Sequence, residues 1–87
     1  MTFKIERSLQ DGCCVLTLSG RIQAEQVSEL KQMFELEKNN PRVVLDLQEV
    51  RLADREAVRF LGNCETAGMK LENCPAYIRE WIDREKG

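Results

Sequence analysis

The pentapeptide VVLDL, residues 43–47, is a short apolar run that begins with two β-branched residues. Strands that are buried on both faces have this composition, and in α/β domains they are parallel and lie inside the sheet. Asp46 is the only polar residue of the run. Its carboxylate suits either a ligand-binding group or a cap on backbone amides that follow. We favour the cap, because buried acids are usually hydrogen-bonded locally.

Two alternating segments precede this run and predict a β-hairpin. Residues 2–9 alternate between largely apolar and polar side chains, which is typical of a strand with one wet face. Asp11 and Gly12 follow, and both tolerate the positive φ of a tight hairpin turn. The returning strand, residues 13–19, is fairly apolar on both faces and ends at Gly20. We therefore expect it to lie further inside the sheet than the first strand.

A helix that covers the sheet is predicted over residues 24–38. Val27, Leu30 and Phe34 recur at i, i+3 and i+7, which is the spacing of one helical face. The sequence NNP, residues 39–41, then stops the helix.

The rest of the chain predicts two more helices around a short strand. Residues 54–67 are amphipathic, begin at a helix-capping Asp54 and end before Gly68. Residues 69–74 alternate in the half-polar manner that suits an edge strand. The last helix starts at Pro75, where a missing N–H has no cost.

The predicted order is strand, strand, helix, strand, helix, strand, helix, within one domain of residues 1–87. A hairpin followed by two strand–helix units gives an α/β fold with a mixed four-stranded sheet and right-handed crossovers. We expect the three helices to cover this sheet. The chain is near the lower size limit for folding without metals or disulfides, but a hydrophobic content of 43% supports a core.

Composition argues against several classes of function. A net charge of -2 gives no electrostatic reason to bind nucleic acid. No apolar run approaches the roughly 18 residues of a membrane span, and the N-terminus lacks the hydrophobic region of a signal peptide. We therefore expect a cytoplasmic protein without direct membrane insertion. The 4 cysteines have no metal-site spacing and histidine is absent, so we expect no metal and free cysteines in a reducing compartment.

Nothing in the chain indicates catalysis. It has no Gly-rich phosphate loop and no nucleophile elbow, and a cysteine nucleophile would lack an activating histidine. Asp46 and Asp54 are a pair of acids, but no pattern brings them together. A nucleotide phosphate at the N-terminus of the second helix would be repelled by Asp54 and Glu56. We expect no enzyme activity and no cofactor.

An ordered set of motifs resembles the STAS domain, the anti-sigma-factor-antagonist family. The motifs are LTLSG at residues 16–20, VVLDL at residues 43–47 and VRLAD at residues 50–54. STAS domains typically show an apolar strand ending in glycine, a helix, a strand like VVLDL and a loop leading into D-S-x-G. The resemblance covers nearly the whole chain. It implies a single-domain STAS-like fold and a protein-binding role.

The resemblance also implies a class of partner. One group of STAS domains binds an anti-sigma factor that is also a serine kinase, and phosphorylation after the motif Asp breaks that complex. Other members are tethered to anion transporters, sit in stress-signalling complexes or serve as small subunits of lipid-transport ATPases. The implied partner is therefore a serine-kinase-like ATPase domain or a transporter subunit.

The phosphorylatable hydroxyl of the family motif has no counterpart here. Asp54 matches the motif Asp, whereas Arg55, Glu56 and Ala57 replace the serine, the second hydroxyl and the glycine. Neither Arg55 nor Glu56 can accept a phosphoryl group from a serine kinase. Glu56 either imitates a permanent phosphate or only favours the helix dipole, by about 0.3–1 kcal/mol. We prefer the second interpretation, because acids are common in first helical turns.

A candidate docking face lies on the outer stripe of the second helix and in the loop that precedes it. Two arginines on such a stripe can fork onto partner carboxylates, and an exposed glycine lets another backbone come close. The alternative is a solvated helix with one tolerated glycine. The candidate partner-binding residues are Arg21, Leu52, Ala53, Asp54, Arg55, Glu56, Arg59 and Gly62.

Trp81 lies on the apolar face of the third predicted helix, together with Ile78 and Ile82. Tryptophan is common among residues that anchor protein interfaces. At this spacing it more often belongs to the core, and we expect the core position.

Overall fold

A computed structural model of the chain describes residues 3–36 and 42–86. Within these residues, four strands and three helices follow one another in the predicted order. The elements within the described residues are β1 (Lys4–Gln10), β2 (Cys13–Ile22), α1 (Ala24–Leu36), β3 (Val43–Ala53), α2 (Arg55–Thr66), β4 (Lys70–Glu72) and α3 (Ala76–Lys86).

The strands form one mixed sheet in the order β1-β2-β3-β4. β1 pairs with β2 in antiparallel fashion, whereas β2 with β3 and β3 with β4 are parallel. This topology confirms the predicted hairpin followed by two strand–helix units. It also confirms that β2 and β3 are central and that β4 is an edge strand.

The turn between β1 and β2 has the backbone that its sequence predicts. Asp11 has φ 51 and Gly12 has φ 80, so both turn residues take positive φ. Gln10 and Cys13 are register partners on either side of the two-residue turn. Asp-Gly is favoured there because aspartate and glycine enter this region at low cost.

The core lies between one face of the sheet and the three helices. Cys14, Leu16 and Leu18 alternate along β2 and are fully buried, which places them on the same face. The other side chains of this core, from β2, β3 and the helices, are Ile22, Val27, Leu30, Leu45, Leu47, Val50, Ala53, Ala57, Val58, Leu61, Cys64, Ile78 and Ile82.

The opposite face of the sheet is polar along both edge strands. Lys4 and Glu6 of β1 form an ion pair at 3.4 Å, and Lys70 and Glu72 of β4 form another at 3.5 Å. Each pair joins residues two apart, which lie on one face of a strand. Charged edges of this kind disfavour pairing with the sheet of another chain.

β2 and β3 are both longer than predicted. β2 continues past Gly20 to Ile22, and β3 runs to Ala53 rather than ending at residue 47. Their pairing shifts register twice, between Thr17 and Ser19 and again after Gly20, which takes φ 91. An extra residue at a bulge lets a strand bend and continue, so a glycine that signals an end marks a bulge here.

The other boundaries differ by a few residues. β4 covers only Lys70–Glu72 of the predicted residues 69–74, because only that segment pairs with β3. α1 ends at Leu36, and the last predicted residues of that helix lie outside the described residues. α3 starts at Ala76, directly after Pro75.

Asp46 has the structural role that we favoured from the sequence. Its Oδ1 accepts hydrogen bonds from the backbone N–H of Gln48 at 3.0 Å and from the side-chain amide of Asn73 at 3.1 Å. The carboxylate thus caps an amide next to the first register shift and ties the end of β4 to β3. The capped amide lies in β3 itself rather than in a loop.

Candidate protein-docking site

The site is built where β3 passes directly into α2. Asp54 is the single residue between them and has extended backbone angles, φ -88 and ψ -179. Its N–H donates to the Ile22 carbonyl at 3.1 Å, and its own carbonyl accepts from the Val58 N–H at 2.9 Å. Its Oδ1 accepts from the Ala57 N–H at 2.9 Å, which satisfies an amide in the first turn of the helix. Asp54 therefore holds the site together and confirms the predicted N-cap.

The first turn of α2 presents a cation and an anion. Arg55 and Glu56 are both exposed. An acid in a first helical turn is favoured by the partial positive charge at the helix N-terminus. No residue of this turn, residues 55–58, carries a hydroxyl.

Arg21 and Leu52 are brought together by the sheet. They are register partners at the ends of β2 and β3, and Leu52 is 48% exposed. These contacts place Arg21 beside the start of α2, although it is more than thirty positions away in the chain.

Ala53 does not belong to the exposed surface. We expected Leu52 and Ala53 in a loop, but both lie in β3, where Ala53 pairs with Ile22. Because side chains alternate along a strand, Leu52 points outward and Ala53 points into the core, with 8% exposure. Ala53 therefore contributes almost nothing to the exposed surface.

α3 lies along the stripe of α2 that we expected to be free. Arg59 donates from Nε to Glu85 Oε1 at 3.0 Å, and Arg55 Nε lies 3.8 Å from the other oxygen of that carboxylate. The arginines therefore already hold a carboxylate of this chain, although the Arg55 side chain is 65% exposed and that of Arg59 is 52% exposed.

Gly62 is buried, so its predicted place on an exposed face is wrong. It lines a groove of about 250 Å³ between α2 and α3, together with Val58 and Ile82. The helical period correctly places Gly62 on the stripe of Arg55 and Arg59, but α3 covers that stripe. A residue without a side chain leaves room for the neighbouring helix.

Glu85 is the electrostatic centre of this helix pair. The hydrogen bond from Arg59 is the largest cause that lowers the pKa of Glu85 below its ordinary value, and Arg55 and the Trp81 indole act in the same direction. Glu85 is therefore ionised at neutral pH and offsets part of the positive charge on α2.

α3 contributes two aromatic side chains that the sequence analysis did not include in the site. The Tyr77 hydroxyl donates to the Arg51 carbonyl at 2.8 Å, although the tyrosine ring remains 43% exposed. Trp81 packs against the core but is only partly buried, so its expected core position is half correct. Helical spacing identifies the apolar face of α3, but it cannot show where that face leaves the core and meets solvent.

The cysteines of the described residues have no disulfide partners. Cys14 and Cys64 are buried, and burial raises the pKa of the Cys64 thiol to about 12. Burial is also the main cause that raises the pKa of Cys74. The Cys64 and Cys74 thiols are therefore protonated at neutral pH and are weak nucleophiles.

Two structural features that bear on function are absent from the described residues. Residues 3–36 and 42–86 contain no group of three His, Cys, Asp or Glu side chains placed to hold a metal ion. Within the same residues, every helix is too short or too polar to cross a bilayer.

Solved structures with this fold include two anti-sigma-factor antagonists. The unphosphorylated form of SpoIIAA matches with a TM-score of 0.64 and 18% identity, over 99% of each chain. The STAS domain of an antisigma-factor antagonist from Rhodobacter sphaeroides matches with a TM-score of 0.61 and 17% identity, over 80% of this chain and 83% of that one.

A third solved structure is an uncharacterized protein of the DUF3478 family from Shewanella loihica, which has a SpoIIAA-like fold. It matches with a TM-score of 0.57 and 15% identity, over 98% of this chain and 75% of that one. At these identities the likenesses establish the fold.

The sequence itself assigns the family. No curated protein sequence matches the chain. A family model described as "Mlab, STAS domain" matches residues 5–73, which run from β1 to the residue after β4. This match covers most of the chain and includes the strand end, the N-cap and the helix of the candidate site. The chain therefore belongs to the STAS domain family.

Proposed function

We propose that this protein is a non-catalytic interaction module, a regulator that resembles the anti-sigma-factor antagonists and docks through the N-terminal end of α2. The observation that carries the proposal is the exposed pair formed by Arg21 and Leu52 beside the first turn of α2. An apolar side chain next to an arginine, at the ends of two paired central strands, is suited to hold a partner surface.

The way the polar side chains are used supports binding rather than chemistry. Asp54 is engaged in the helix cap, and Glu85 holds Arg59 and Arg55. A general acid or base is typically a carboxyl, histidine or lysine side chain that faces a cleft and has a pKa shifted toward the working pH. The chain has no histidine, and the acids at this site are committed to structural contacts or stand in solvent.

The proposed module lacks the phosphorylation switch at this position. Arg55 and Glu56 occupy the first turn, where the family motif carries its hydroxyl. The related SpoIIAA is described in an unphosphorylated form. In this chain, a complex formed through α2 would be controlled by supply of the partner or by modification elsewhere.

We propose an ATPase domain in the cytoplasm as the partner, either a serine-kinase-like anti-sigma factor or the ATPase of a membrane transporter. The Rhodobacter structure is that of an antisigma-factor antagonist and favours the first. The lack of a hydroxyl at residues 55 and 56 favours the second, a STAS-type accessory subunit. A permanent subunit has no need of a phosphorylation switch.

A quantitative pull-down from the native organism tests the proposal. Tagged wild type is compared with Leu52→Glu, which puts a charge on the proposed surface. Leu9→Glu is the matched control, because Leu9 is 64% exposed and lies beside the hairpin turn at the other end of the sheet. Thermal unfolding of all three proteins shows whether both variants remain folded.

The proposal predicts an ATPase-domain protein that wild type and Leu9→Glu recover and that Leu52→Glu loses. Recovery of a sigma-pathway kinase identifies the first partner class, and recovery of a transporter ATPase identifies the second. Equal recovery by all three proteins would show that docking does not use this end of α2.

A further inference from the structure

One side of α3 continues the proposed docking surface beyond α2. Tyr77 ties the first turn of α3 to the end of β3 through its hydrogen bond to the Arg51 carbonyl, at 2.8 Å. Trp81 follows one helical turn later on the same side and lies next to Glu85, the residue that pairs with α2. The strand end, the start of α2 and this side of α3 are therefore neighbours.

Both aromatic residues of this region are of the kinds that anchor interfaces. Tyr77 and Trp81 are the only tyrosine and the only tryptophan of the chain. Together with Glu80 and Arg84 they line a shallow depression of about 300 Å³. Trp, Tyr and Arg are the residue types most enriched among interface hot spots, and this depression holds one of each.

Arg84 lines the depression itself, and Arg51 is the residue whose carbonyl accepts from the Tyr77 hydroxyl. Within residues 3–36 and 42–86, Arg21, Arg51 and Arg84 take part in no ion pair. A guanidinium is weakly hydrated and can bind a carboxylate through two parallel hydrogen bonds. A partner carboxylate that approaches this surface finds free arginines beside exposed aromatic carbon.

The surface also carries acids, and these limit what can bind. Glu56 and Glu80 are exposed, so the local excess of positive charge is small. A nucleic acid or an anionic membrane needs a continuous basic face. A protein segment that brings one or two carboxylates together with an apolar side chain fits the mixture better.

We propose that Tyr77, Trp81 and Arg84 of α3, here called the α3 surface, form the second half of the docking site. This surface receives a protein segment that presents a carboxylate beside an apolar side chain. The apolar side chain packs against the two aromatic rings, and the carboxylate binds Arg84. The proposal rests on the proposed function, because it extends the same docking event from α2 to α3.

Photocrosslinking in cells of the native organism tests this extension. The photoreactive residue p-benzoylphenylalanine replaces Tyr77, Leu52 or, as a control, Leu9 at the far end of the sheet. Each crosslinked product is digested and sequenced by mass spectrometry, so that the partner segment is read directly.

The α3 surface predicts crosslinks from positions 52 and 77 to the same partner, in a segment that contains Asp or Glu next to an apolar residue. Crosslinks from position 52 alone would overturn the α3 surface and leave the proposed function standing. Crosslinks from neither position would overturn both. A product with a second copy of this chain, or one with nucleic acid, would contradict the stated partner chemistry.

A charge reversal checks the role of Arg84. Arg84→Glu should reduce the crosslink yield from position 52 by up to about fivefold, the factor that corresponds to the ~1 kcal/mol upper range for an exposed ion pair. Arg42→Glu is the matched control, because Arg42 is an exposed arginine just before the start of β3. Equal yields from both variants would remove Arg84 from the site.

Discussion

Nε of Arg59 in α2 lies 3.0 Å from Oε1 of Glu85 in α3. This contact connects the N-terminal half of α2 to the C-terminal end of α3, and Arg55 reaches the same carboxylate at 3.8 Å. A partner carboxylate that binds these arginines must compete with Glu85. Among residues 3–36 and 42–86, Arg21, Arg51 and Arg84 have no such carboxylate partner, so they are the better candidates for direct contact with another protein.

A second ion-pair cluster holds the other ends of the two helices together. Arg79 of α3 donates from both terminal nitrogens to the two Glu65 oxygens of α2, each at 2.7 Å, and also bonds Asp83 at 3.0 Å. These hydrogen bonds raise the pKa of Arg79 above its already high value. α2 and α3 are therefore joined near both ends, which keeps the two halves of the docking site in a constant relation.

Removal of the Arg79 fork should loosen α3. We expect Arg79→Ala to lower the free energy of unfolding by about 1 kcal/mol, since the pair is bidentate but about one-third exposed. Arg79→Lys should recover only part of this, because an ammonium cannot form the fork. Urea unfolding measures both variants. An Arg79→Ala midpoint equal to that of wild type would show that the fork does not stabilise the fold.

The contact between Arg59 and Glu85 should make the stability of the folded chain depend on pH in the acid range. The pKa of Glu85 is lowered in the folded chain. Its ionised carboxylate therefore stabilises the fold at pH values above its ordinary pKa of 4.5, and this stabilisation is lost as the pH falls through the lowered pKa of the folded state. The melting temperature of wild type should exceed that of Glu85→Gln at neutral pH, and the difference should vanish in acid.

Glu80→Gln is the control for this pH series, because Glu80 has no ion pair within the described part of the chain. The difference in melting temperature between Glu80→Gln and wild type should stay the same from neutral pH to acid. A Glu85→Gln difference that is constant with pH would show that the carboxylate is not stabilised by the arginines.

Loss of the helix cap should destabilise α2. Asp54→Ala removes the acceptor that bonds the Ala57 N–H at 2.9 Å, and we expect a loss of about 1 kcal/mol. Asp54→Asn keeps a side-chain oxygen and should cost much less. Hydrogen exchange at the first-turn amides of α2 locates the effect. Faster exchange in Asp54→Asn than in Asp54→Ala would contradict the cap.

Thiol reactivity should follow burial in the folded chain. Cys64 is 6% exposed and its thiol has a pKa of about 12, so iodoacetamide should modify it only after unfolding. Cys14 is fully buried and should behave in the same way. Cys13 is only half-buried and should react first. A digestion time course followed by mass spectrometry compares native protein with protein in concentrated guanidinium chloride.

Local signals in the sequence account for most of the fold. The alternation of residues 2–9, the Asp11-Gly12 turn and the run at 43–47 predict strands and a hairpin because backbone period and turn geometry depend on near neighbours. The Asp54 cap is equally local, since its acceptor and donor are three residues apart. The ends of β2 and β3 were predicted poorly. A β-bulge depends on pairing with another strand, and local sequence signals do not show that pairing.

The candidate site was only partly predictable. Glu56 and Arg55 are placed correctly in an exposed first turn, whereas Arg21, expected after the end of a strand at Gly20, lies within β2 and pairs with Leu52. Gly62 and Ala53 were expected at the surface but are buried. Helical and strand periods define which residues share a face, whereas burial depends on which element covers that face.

Sequence alone therefore determined the kind and order of the elements, the membership in the STAS family and the lack of a hydroxyl in residues 55–56. Tertiary structure alone decided that α3 covers Gly62 and that Tyr77 reaches the end of β3. The physical reason is distance along the chain. Contacts between α2, α3 and the strand ends join residues some 26 positions apart, and these meet only because both helices pack on the same sheet.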